Sequence, residues 1–497
     1  MNSSKIKIAA IADCHYQFYD PGSAAQRQGY FADIMLLRTV HRLNRYIQPD
    51  VVLILGDLMD EPHAVKTADH LRRLRDILSK LDAPYLVLPG NHDPAPDVFY
   101  RVFPRPPDQF DVKGVRFLPF IDRQTDGFNA SRDAVDIGRF AAARRSFTGP
   151  IAALQHVPLF PPGRDACPYN YTNAPEIISA MRAQGINLSI SGHYHKGMEL
   201  ADAGVTFLAA PALCEAPFQF LVMELEGVKT AVTKHALANS ADLYLTDFHV
   251  HTPYAYCNEN MDICQSLKLG RLFGLEHMVF SEHSGHLYFD KSDYWSGRFL
   301  RGVAPLPSDR VSDYFADTAR LDPEFAGAGM ELDCDYNGQP VIRPEHRHLP
   351  RAPIGAVHFL PELTAPQPDP AKAGAEFLGM LERFLGSGIS ILAHPLRVFK
   401  KSKCPLPASI FPELARLLRE NGVAAELNFH TNQPAPEFFR ICLENGIKIA
   451  FGSDAHNLYE IGEFYPHLRF LREDCGYDGD LNDILVDFQA IKDRRLG

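Results

Sequence analysis

The 497-residue sequence lacks several features that would define its class at once. It has no uninterrupted apolar stretch of 18 residues, so we expect no transmembrane helix. It has no run of basic residues and a net charge of −11, which argues against a broad nucleic-acid-binding surface. It also has no low-complexity segment, P-loop or coiled-coil repeat. What remains is a globular protein, and its length predicts more than one domain.

Cysteine does not occur in closely spaced pairs. The nine cysteines, an odd number, are scattered and form no CxxC motif. This pattern suits a reducing compartment better than a disulfide framework. The first residues lead directly into the apolar run 6–12, which is typical of a buried strand rather than of a signal peptide. We therefore predict a cytoplasmic protein.

Short apolar runs alternate with helical stripes in the first half, which predicts an α/β domain. Two later runs, Val205–Ala209 and 220–225, suggest a pair of strands near the end of this domain. The pattern weakens between residues 232 and 241. We place a boundary there, which gives domains 1–238 and 239–497.

The second half repeats a unit in which a short apolar run ends in polar residues, with helical patterns between most of the runs. This predicts a parallel β/α barrel, in which chemistry lies at the C-terminal ends of the strands. The seven runs are 243–251, 277–283, 329–333, 354–359, 389–394, 423–428 and 447–456.

Histidine is abundant, with 21 residues, and many of them cluster with Asp or Glu. In the first half, five motifs follow apolar runs. Because residues i and i+2 share a face of a strand, two of the motifs each point two side chains the same way. Imidazoles, carboxylates and one amide oxygen suit Mn, Fe, Zn or Ni more than Ca. One such motif alone is typical of a turn, but all five in order predict a metal site. They are Asp13-Cys14-His15, Gly56-Asp57, Gly90-Asn91-His92-Asp93, Gln155-His156 and Gly192-His193-Tyr194-His195.

This order of motifs resembles that of the calcineurin-like metallophosphoesterases over about residues 5–235. The resemblance implies a β-sandwich flanked by helices, with two metals. It implies that His92 acts beside the phosphate as a general acid or charge stabiliser, and that Asp93 orients it. The implied ligands are Asp13, His15, Asp57 and His195 for one metal, and Asp57, Asn91, His156 and His193 for the other.

Histidines and carboxylates also follow the apolar runs of the second half. His249 and His251 again stand at i and i+2. To bury so many ionisable groups at one barrel mouth would cost several kcal/mol each unless metal ions or hydrogen bonds compensate. We therefore predict a site for two or three divalent ions, although Glu426 taken alone is equally consistent with an ordinary buried residue. The other candidates are Glu282, His283, Glu331, His358, His394, Asp454 and His456.

Residues 242–475 resemble the PHP (polymerase and histidinol phosphatase) family, nearest to its histidinol-phosphatase-like branch. The resemblance implies a distorted (β/α)7 barrel with a trinuclear metal site. The implied ligands are His249, His251, Glu331 and Asp454 for one metal, Glu331, His358 and His394 for a second, and His283 and His456 for a third.

Two residues leave alternatives open. Cys257 stands where many relatives have a further histidine, so it is either a thiolate ligand for Zn or Fe or a small buried apolar residue. Arg397 lies three residues after His394 and is either a clamp for the substrate phosphate or a solvated surface arginine.

Together these patterns predict a metal-dependent phosphoesterase with Mn, Fe or Zn, two ions in the first domain and two to three in the second. The fusion suggests sequential hydrolysis, in which one domain opens a phosphodiester or cyclic phosphate and the other dephosphorylates the monoester of a small metabolite or nucleotide. One alternative is a nuclease acting on DNA or RNA ends. Another is one live phosphatase domain beside a non-catalytic module. The acidic balance favours a small phosphorylated partner over nucleic acid, and we expect no membrane partner.

Overall fold

A computed structural model of the chain describes residues 5–18, 24–63, 66–145, 147–227, 229–301, 310–402 and 404–496. The protein is mixed α/β, and it divides into two compact units, Met1–Ala238 and Asn239–Gly497. None of the described helices is long and apolar enough to cross a membrane. All nine cysteines are free thiols.

Two main β-sheets form the framework of the first unit. Its strands are β1 (Ile6–Ile11), β2 (Val51–Leu55), β3 (Tyr85–Leu88), β4 (Phe110–Val112), β5 (Val115–Pro119), β6 (Arg123–Thr125), β7 (Asn129–Ser131), β8 (Ile151–Leu154), β9 (Leu188–Ser191), β10 (Met198–Asp202), β11 (Val205–Ala209), β12 (Gln219–Glu226) and β13 (Lys229–Ala236). One sheet has the order β13-β12-β1-β2-β3, and the other has the order β10-β11-β9-β8-β5-β4.

The two sheets pack face to face around one apolar core. Ile8 and Leu53 of the first sheet meet Phe117 and Ile190 of the second in this core, because alternate side chains of a strand point to the same face. Two helices cover the outer face of the second sheet, where Phe140 and its neighbours pack. The helices of the unit are α1 (Ala32–Arg42), α2 (Thr67–Leu78), α3 (Pro96–Phe99), α4 (Ala134–Arg144) and α5 (Ala174–Ala183), of which α4 and α5 form this cover.

Both late strands that the sequence indicates are present, but they lie in different sheets. β11 lies parallel to β9 in the second sheet, whereas β12 lies antiparallel to β1 in the first. Residues 210–218, which join the two strands, therefore cross from one sheet to the other. This crossing segment carries Glu215, which reaches the site described below.

The second unit contains one seven-stranded parallel sheet in chain order, and the seven predicted apolar runs each overlap one of its strands. A parallel bridge joins Val250, at the end of the first strand, to Ala455, just beyond the last, so the sheet is nearly closed into a barrel. The strands are β14 (Thr246–Val250), β15 (His277–His283), β16 (Ala326–Asp333), β17 (Ile354–Ala356), β18 (Ile391–Leu392), β19 (Ala424–Leu427) and β20 (Ile449–Phe451).

Apolar side chains of these strands pack together with residues from the end of the chain. Phe248, Ile354 and Ile391 share one core with Phe488 and Ile491. The polar ends of the strands are therefore left to form the site. The helices of the unit are α6 (Ile263–Leu272), α7 (Ser284–Tyr288), α8 (Lys291–Trp295), α9 (Arg310–Thr318), α10 (Pro370–Phe384), α11 (Arg397–Lys401), α12 (Phe411–Asn421), α13 (Pro436–Glu444), α14 (Tyr465–Arg469) and α15 (Phe488–Ile491).

Candidate metal centres

In the first unit, several loops that carry the polar motifs bend through the left-handed region. Four polar residues have positive φ: Asp13 (56°), His15 (46°), Asp57 (51°) and His193 (64°). This backbone conformation costs about 1–3 kcal/mol per non-glycine residue and is concentrated at functional sites. A glycine is required beside them, because a Cβ on Gly90 would lie 2.2 Å from Asp57 Oδ1. The loops are thus shaped around the carboxylates.

Two imidazoles face each other at the centre of this site. The Nε2 atoms of His15 and His195 lie 3.2 Å apart. His195 Nδ1 donates to Glu215 Oε1 at 2.7 Å, and His15 Nδ1 lies 3.3 Å from Asp60 Oδ1. A carboxylate beside Nδ1 holds the proton there and turns the Nε2 lone pair outward. A proton or a cation must therefore separate the two Nε2 atoms. The buried Asp13 Oδ1, with no hydrogen-bond partner of its own, lies 3.8 and 3.6 Å from them.

A second group lies beside the first. His156 Nδ1 donates to the carbonyl of Leu55 at 2.6 Å, so its Nε2 faces two oxygens, Asn91 Oδ1 at 3.0 Å and Asp57 Oδ2 at 3.3 Å. Burial lowers the pKa of His156, but the charge of Asp57 outweighs burial and raises it to about 10. This imidazole thus takes up a proton where no metal is bound. Asp57 Oδ2 also lies 3.7 Å from His15 Nε2, so one carboxylate oxygen serves both groups.

All the metal ligands predicted for the first unit fall within these two groups. His193 joins Asp57 and His156 in a set whose ligand atoms lie within 4.8 Å of one another, and its backbone N–H donates to Asp13 Oδ2 at 2.9 Å. Burial lowers the pKa of His193 to about 4, which keeps it neutral, as a metal ligand must be. The donor chemistry and the facing lone pairs fit a pair of divalent ions.

The imidazole of His92 is held by a backbone carbonyl. Its Nδ1 donates to Asp60 O at 2.8 Å. Sequence had assigned the orientation of His92 to Asp93, but the Asp93 carboxylate accepts from three backbone N–H groups, including those of Leu58 and Gly90. Asp93 thus shapes the loop, and Asp60 positions the ring.

The second unit repeats the same device. Three histidines each have a carboxylate oxygen beside Nδ1, so their Nε2 lone pairs point away from that carboxylate. The pairs are His249 with Glu426 (2.8 Å), His251 with Glu282 (3.2 Å) and His358 with Asp333 (2.7 Å). Glu426 therefore acts through His249 and is more than an ordinary buried residue.

Glu331 divides the cluster of the second unit into two compartments. Its Oε2 lies 3.4 Å from His249 Nε2 and beside His283 Nδ1. Its Oε1 lies 3.2 Å from His358 Nε2 and 2.9 Å from His394 Nε2. We call the His249 side the first compartment and the side of His358 and His394 the second compartment.

The two carboxylate oxygens of Asp454 also face different compartments. Its Oδ1 lies 3.0 Å from His251 Nε2 and 3.6 Å from His249 Nε2, in the first compartment. Its Oδ2 accepts from Nη1 of Arg397, in the second. Both central carboxylates therefore bridge the two compartments.

Arg397 is buried, with 6% of its surface exposed, so it is not a solvated surface arginine. Its Nη2 lies 2.6 Å from His394 Nε2 and 3.2 Å from His358 Nε2. The guanidinium thus lies on the ligand atoms that the PHP resemblance assigns to a second metal.

A third group lies at the edge of the first compartment. The ligand atoms of His251, His283 and His456 lie within 4.8 Å of one another, and Cys257 forms a similar set with His283 and His286. Cys257 Sγ lies 3.8 Å from His283 Nε2. Burial and nearby carboxylates raise the pKa of Cys257 to about 12, so it stays a thiol unless a metal binds it. The position of Cys257 beside His283 is compatible with a metal ligand.

Sequence reasoning missed three of the carboxylates that lie beside histidine Nδ1 atoms: Asp60, Glu215 and Asp333. Asp333 stands two residues after Glu331 on β16, so strand periodicity was a signal that it shares the site face. Asp60 and Glu215 lie in loops with no such pattern, and only the fold brings them to His15 and His195.

The calcineurin-like phosphoesterase family model matches residues 6–197. The first unit carries a calcineurin-like phosphoesterase domain. The chain is therefore a hydrolase acting on phosphoric ester bonds, and divalent metal ions are its cofactors. No curated protein matches the sequence.

Several solved structures resemble part of the chain at low identity. One is a dimetal phosphatase from Danio rerio, with a TM-score of 0.40, 15% identity, and coverage of 46% of this chain and 98% of that one. A second is histidinol phosphate phosphatase from Lactococcus lactis subsp. lactis, complexed with zinc, L-histidinol and phosphate. Its TM-score is 0.33, its identity is 17%, and the match covers 47% of this chain and 94% of that one. A third is a purple acid phosphatase from yellow lupin (Lupinus luteus). Its TM-score is 0.33, its identity is 12%, and the match covers 47% of this chain and 52% of that one. Because the TM-scores are low, these likenesses carry no argument about function.

Proposed function

We propose that each unit holds its own hydrolytic metal centre. The first would open a phosphodiester or cyclic phosphate, and the second, a PHP-like barrel, would remove phosphate from the resulting monoester. One observation carries the proposal: in both units, carboxylates on Nδ1 turn histidine Nε2 lone pairs toward one another or toward buried carboxylates. Divalent cations satisfy such a donor set, and a pair of them suits phosphoryl transfer.

In the first unit the proposed ligands fall into two sets that share Asp57. Support comes from the short distances among their ligand atoms. The sets are Asp13, His15, Asp57 and His195 for one ion, and Asp57, Asn91, His156 and His193 for the other.

In the second unit the first compartment and its edge supply the proposed ligands. Polar residues at the ends of all seven parallel strands support a PHP-like barrel. His358 and His394 are also predicted as ligands. We leave them out of the two sets below because their Nε2 atoms contact Arg397. The proposed sets are His249, His251, Glu331 and Asp454 for one ion, and His283 and His456, with Cys257, for another.

The chain's own groups have separable tasks in the reaction. When bound, the metal ions supply Lewis acidity and lower the pKa of water. The carbonyl of Asp60 fixes a proton on His92 Nδ1, so Nε2 is the atom that donates a proton to the leaving oxygen when the ring is protonated. Arg397 offers planar N–H donors to phosphoryl oxygens, which makes it the proposed substrate-binding group of the second unit.

The fusion of two sites in one chain is the support for sequential hydrolysis. We propose a small phosphorylated substrate, because the net charge is −11 and the sequence has no basic run to bind a nucleic-acid backbone. Mn, Fe or Zn are the proposed metals, since the ligands mix imidazole with carboxylate. Free cysteines support a cytoplasmic location.

The test follows each step of hydrolysis separately. Wild type, His92→Asn and His249→Ala are incubated with Mn and a panel of cyclic nucleotides, nucleoside bisphosphates and small monoesters. We expect His92→Asn to block diester opening and His249→Ala to let the monoester accumulate. If both variants stop at the same step, the sequential scheme is wrong. If His249→Ala affects neither step, only the first unit is live, and efficient cleavage of plasmid or single-stranded DNA would favour a nuclease.

A further inference from the structure

The two compartments of the second unit differ in which buried atoms lack a partner. In the first compartment His249 Nε2 is buried without a hydrogen-bond partner, and the buried His283 Nδ1 and Glu331 Oε2 lie beside each other with no other hydrogen-bond partner. In the second compartment His358 Nε2 and His394 Nε2 both lie within hydrogen-bond distance of Arg397 Nη2, and Glu331 Oε1 lies 3.2 and 2.9 Å from these two Nε2 atoms. A buried polar atom without a partner needs an ion or a water molecule to offset its desolvation. The first compartment thus calls for a cation, whereas the guanidinium of Arg397 already stands in the second.

Arg397 accounts for this difference. In the neutral ring of His358 the Nδ1 proton is donated to Asp333, so its Nε2 then accepts. The two hydrogens of Arg397 Nη2 face the Nε2 atoms of His358 and His394, and Nη1 donates to Asp454 Oδ2. One guanidinium therefore satisfies three groups that would otherwise require a metal ion.

We propose that Arg397 takes the place of a second metal ion, so that the second unit neutralises phosphate with a metal in the first compartment and a guanidinium in the second. This inference rests on the proposed metal binding of the second unit. It departs from the PHP resemblance, which assigned His358 and His394 to a metal.

Two physical reasons favour the guanidinium over an added ion. A lone pair that accepts an N–H from Arg397 cannot bind a metal at the same time. To displace Arg397 would also break its buried ion pair with Asp454, which costs free energy that the incoming ion would have to repay. A metal bound to the first compartment would share Glu331 and Asp454 with the guanidinium, since each carboxylate turns one oxygen to either side.

The test measures metal ions bound per full-length chain after loading with Mn or Zn and removal of excess metal. The variants are Arg397→Met, His358→Ala and the double variant, with the surface change Arg416→Met as the matched control. Arg416 pairs with Glu413 and Glu420 on α12, outside the cluster. We expect Arg397→Met to gain about one ion per chain, the double variant to lose that gain, and His358→Ala alone and the control to match wild type.

Two results would overturn the proposal. The first is the loss of an ion from His358→Ala in the wild-type background, which decides the matter even if Arg397→Met does not fold. The second is an unchanged ion count in an Arg397→Met variant whose circular dichroism matches wild type. His249→Ala separates this inference from the proposed function: if it loses no ion, the metal centre of the second unit itself is wrong.

Discussion

The two units orient clustered histidines by the same chemistry but on different scaffolds. In the first unit the ligands come from two facing sheets, and four of the polar residues need left-handed backbone to reach one point. In the second a single curved parallel sheet directs its strand ends to one side, and left-handed backbone occurs in its cluster at His394 (28°) and Asp454 (54°). In the second unit the direction of the strands brings the polar side chains together, whereas in the first unit strained turns do much of this.

Arginine also enters the two clusters differently. In the first unit Arg27 pairs with Asp60 at 2.7 Å, and Asp60 in turn lies 3.3 Å from His15 Nδ1. In the second unit Arg397 contacts the side chains of His394 and Asp454 directly. The cluster of the second unit therefore carries part of its positive charge on an arginine.

The largest effect should come from the carboxylate shared by both groups of the first unit. Asp57→Asn keeps the oxygen that accepts the backbone N–H of His92 but removes the charge beside His156 and His15. We expect diester hydrolysis to fall by about 10³-fold, which corresponds to about 4 kcal/mol. Phosphate release from monoesters serves as the control and should not change. A variant with wild-type diester activity would contradict the assignment of Asp57.

His92→Asn should have the next largest effect. Loss of a proton donor typically lowers kcat by about 10²–10⁴-fold. The loss should shrink for a nitrophenyl ester, whose leaving group needs no proton, and this contrast separates proton donation from simple binding. An equal loss for good and poor leaving groups would argue for charge stabilisation instead.

The carboxylates behind the imidazoles allow a direct comparison of the units. Glu215→Gln in the first unit and Glu426→Gln in the second each replace the acceptor beside a histidine Nδ1. Groups in this position typically contribute about 10–100-fold to metal affinity. We expect each variant to weaken metal binding in its own unit only, measured by competition with a chelator. An effect on neither affinity would mean that the imidazoles are oriented by packing alone.

The smallest expected effect is the pH dependence of metal binding in the first unit. Without metal, the carboxylates outweigh burial and raise the pKa of His195 to about 9 and that of His156 to about 10. Metal must displace these protons, so affinity in the first unit should rise with pH until about 10. Calorimetry in buffers of different ionisation enthalpy should show proton release on binding at pH 8. Binding at that pH without proton release would contradict these pKa values.

The sequence was sufficient for the fold class and for the metal-binding character of the motifs. Strand periodicity and motif order indicate an α/β first unit and seven parallel strands in the second, because these signals are local. Asp60 and Glu215 could not be predicted in the same way. Glu215 reaches His195 because residues 210–218 cross between the two sheets, and no local pattern indicates that crossing.

Arg397 shows a second limit of sequence reading. Nothing local distinguishes a buried arginine from a solvated one three residues after a histidine. Its burial depends on Asp454, which lies 57 positions away in the chain and offers the counter-charge. Only the closure of the sheet near β20 brings these two side chains together.

The most direct test of two separate metal centres is the metal content of unit-selective variants of the full chain. His15→Ala with His195→Ala should remove the ions of the first unit, and His249→Ala with His251→Ala those of the second. The account predicts that the two losses add up to nearly all the bound metal. A metal content that one of these pairs leaves unchanged, in a variant that is still folded, would contradict it.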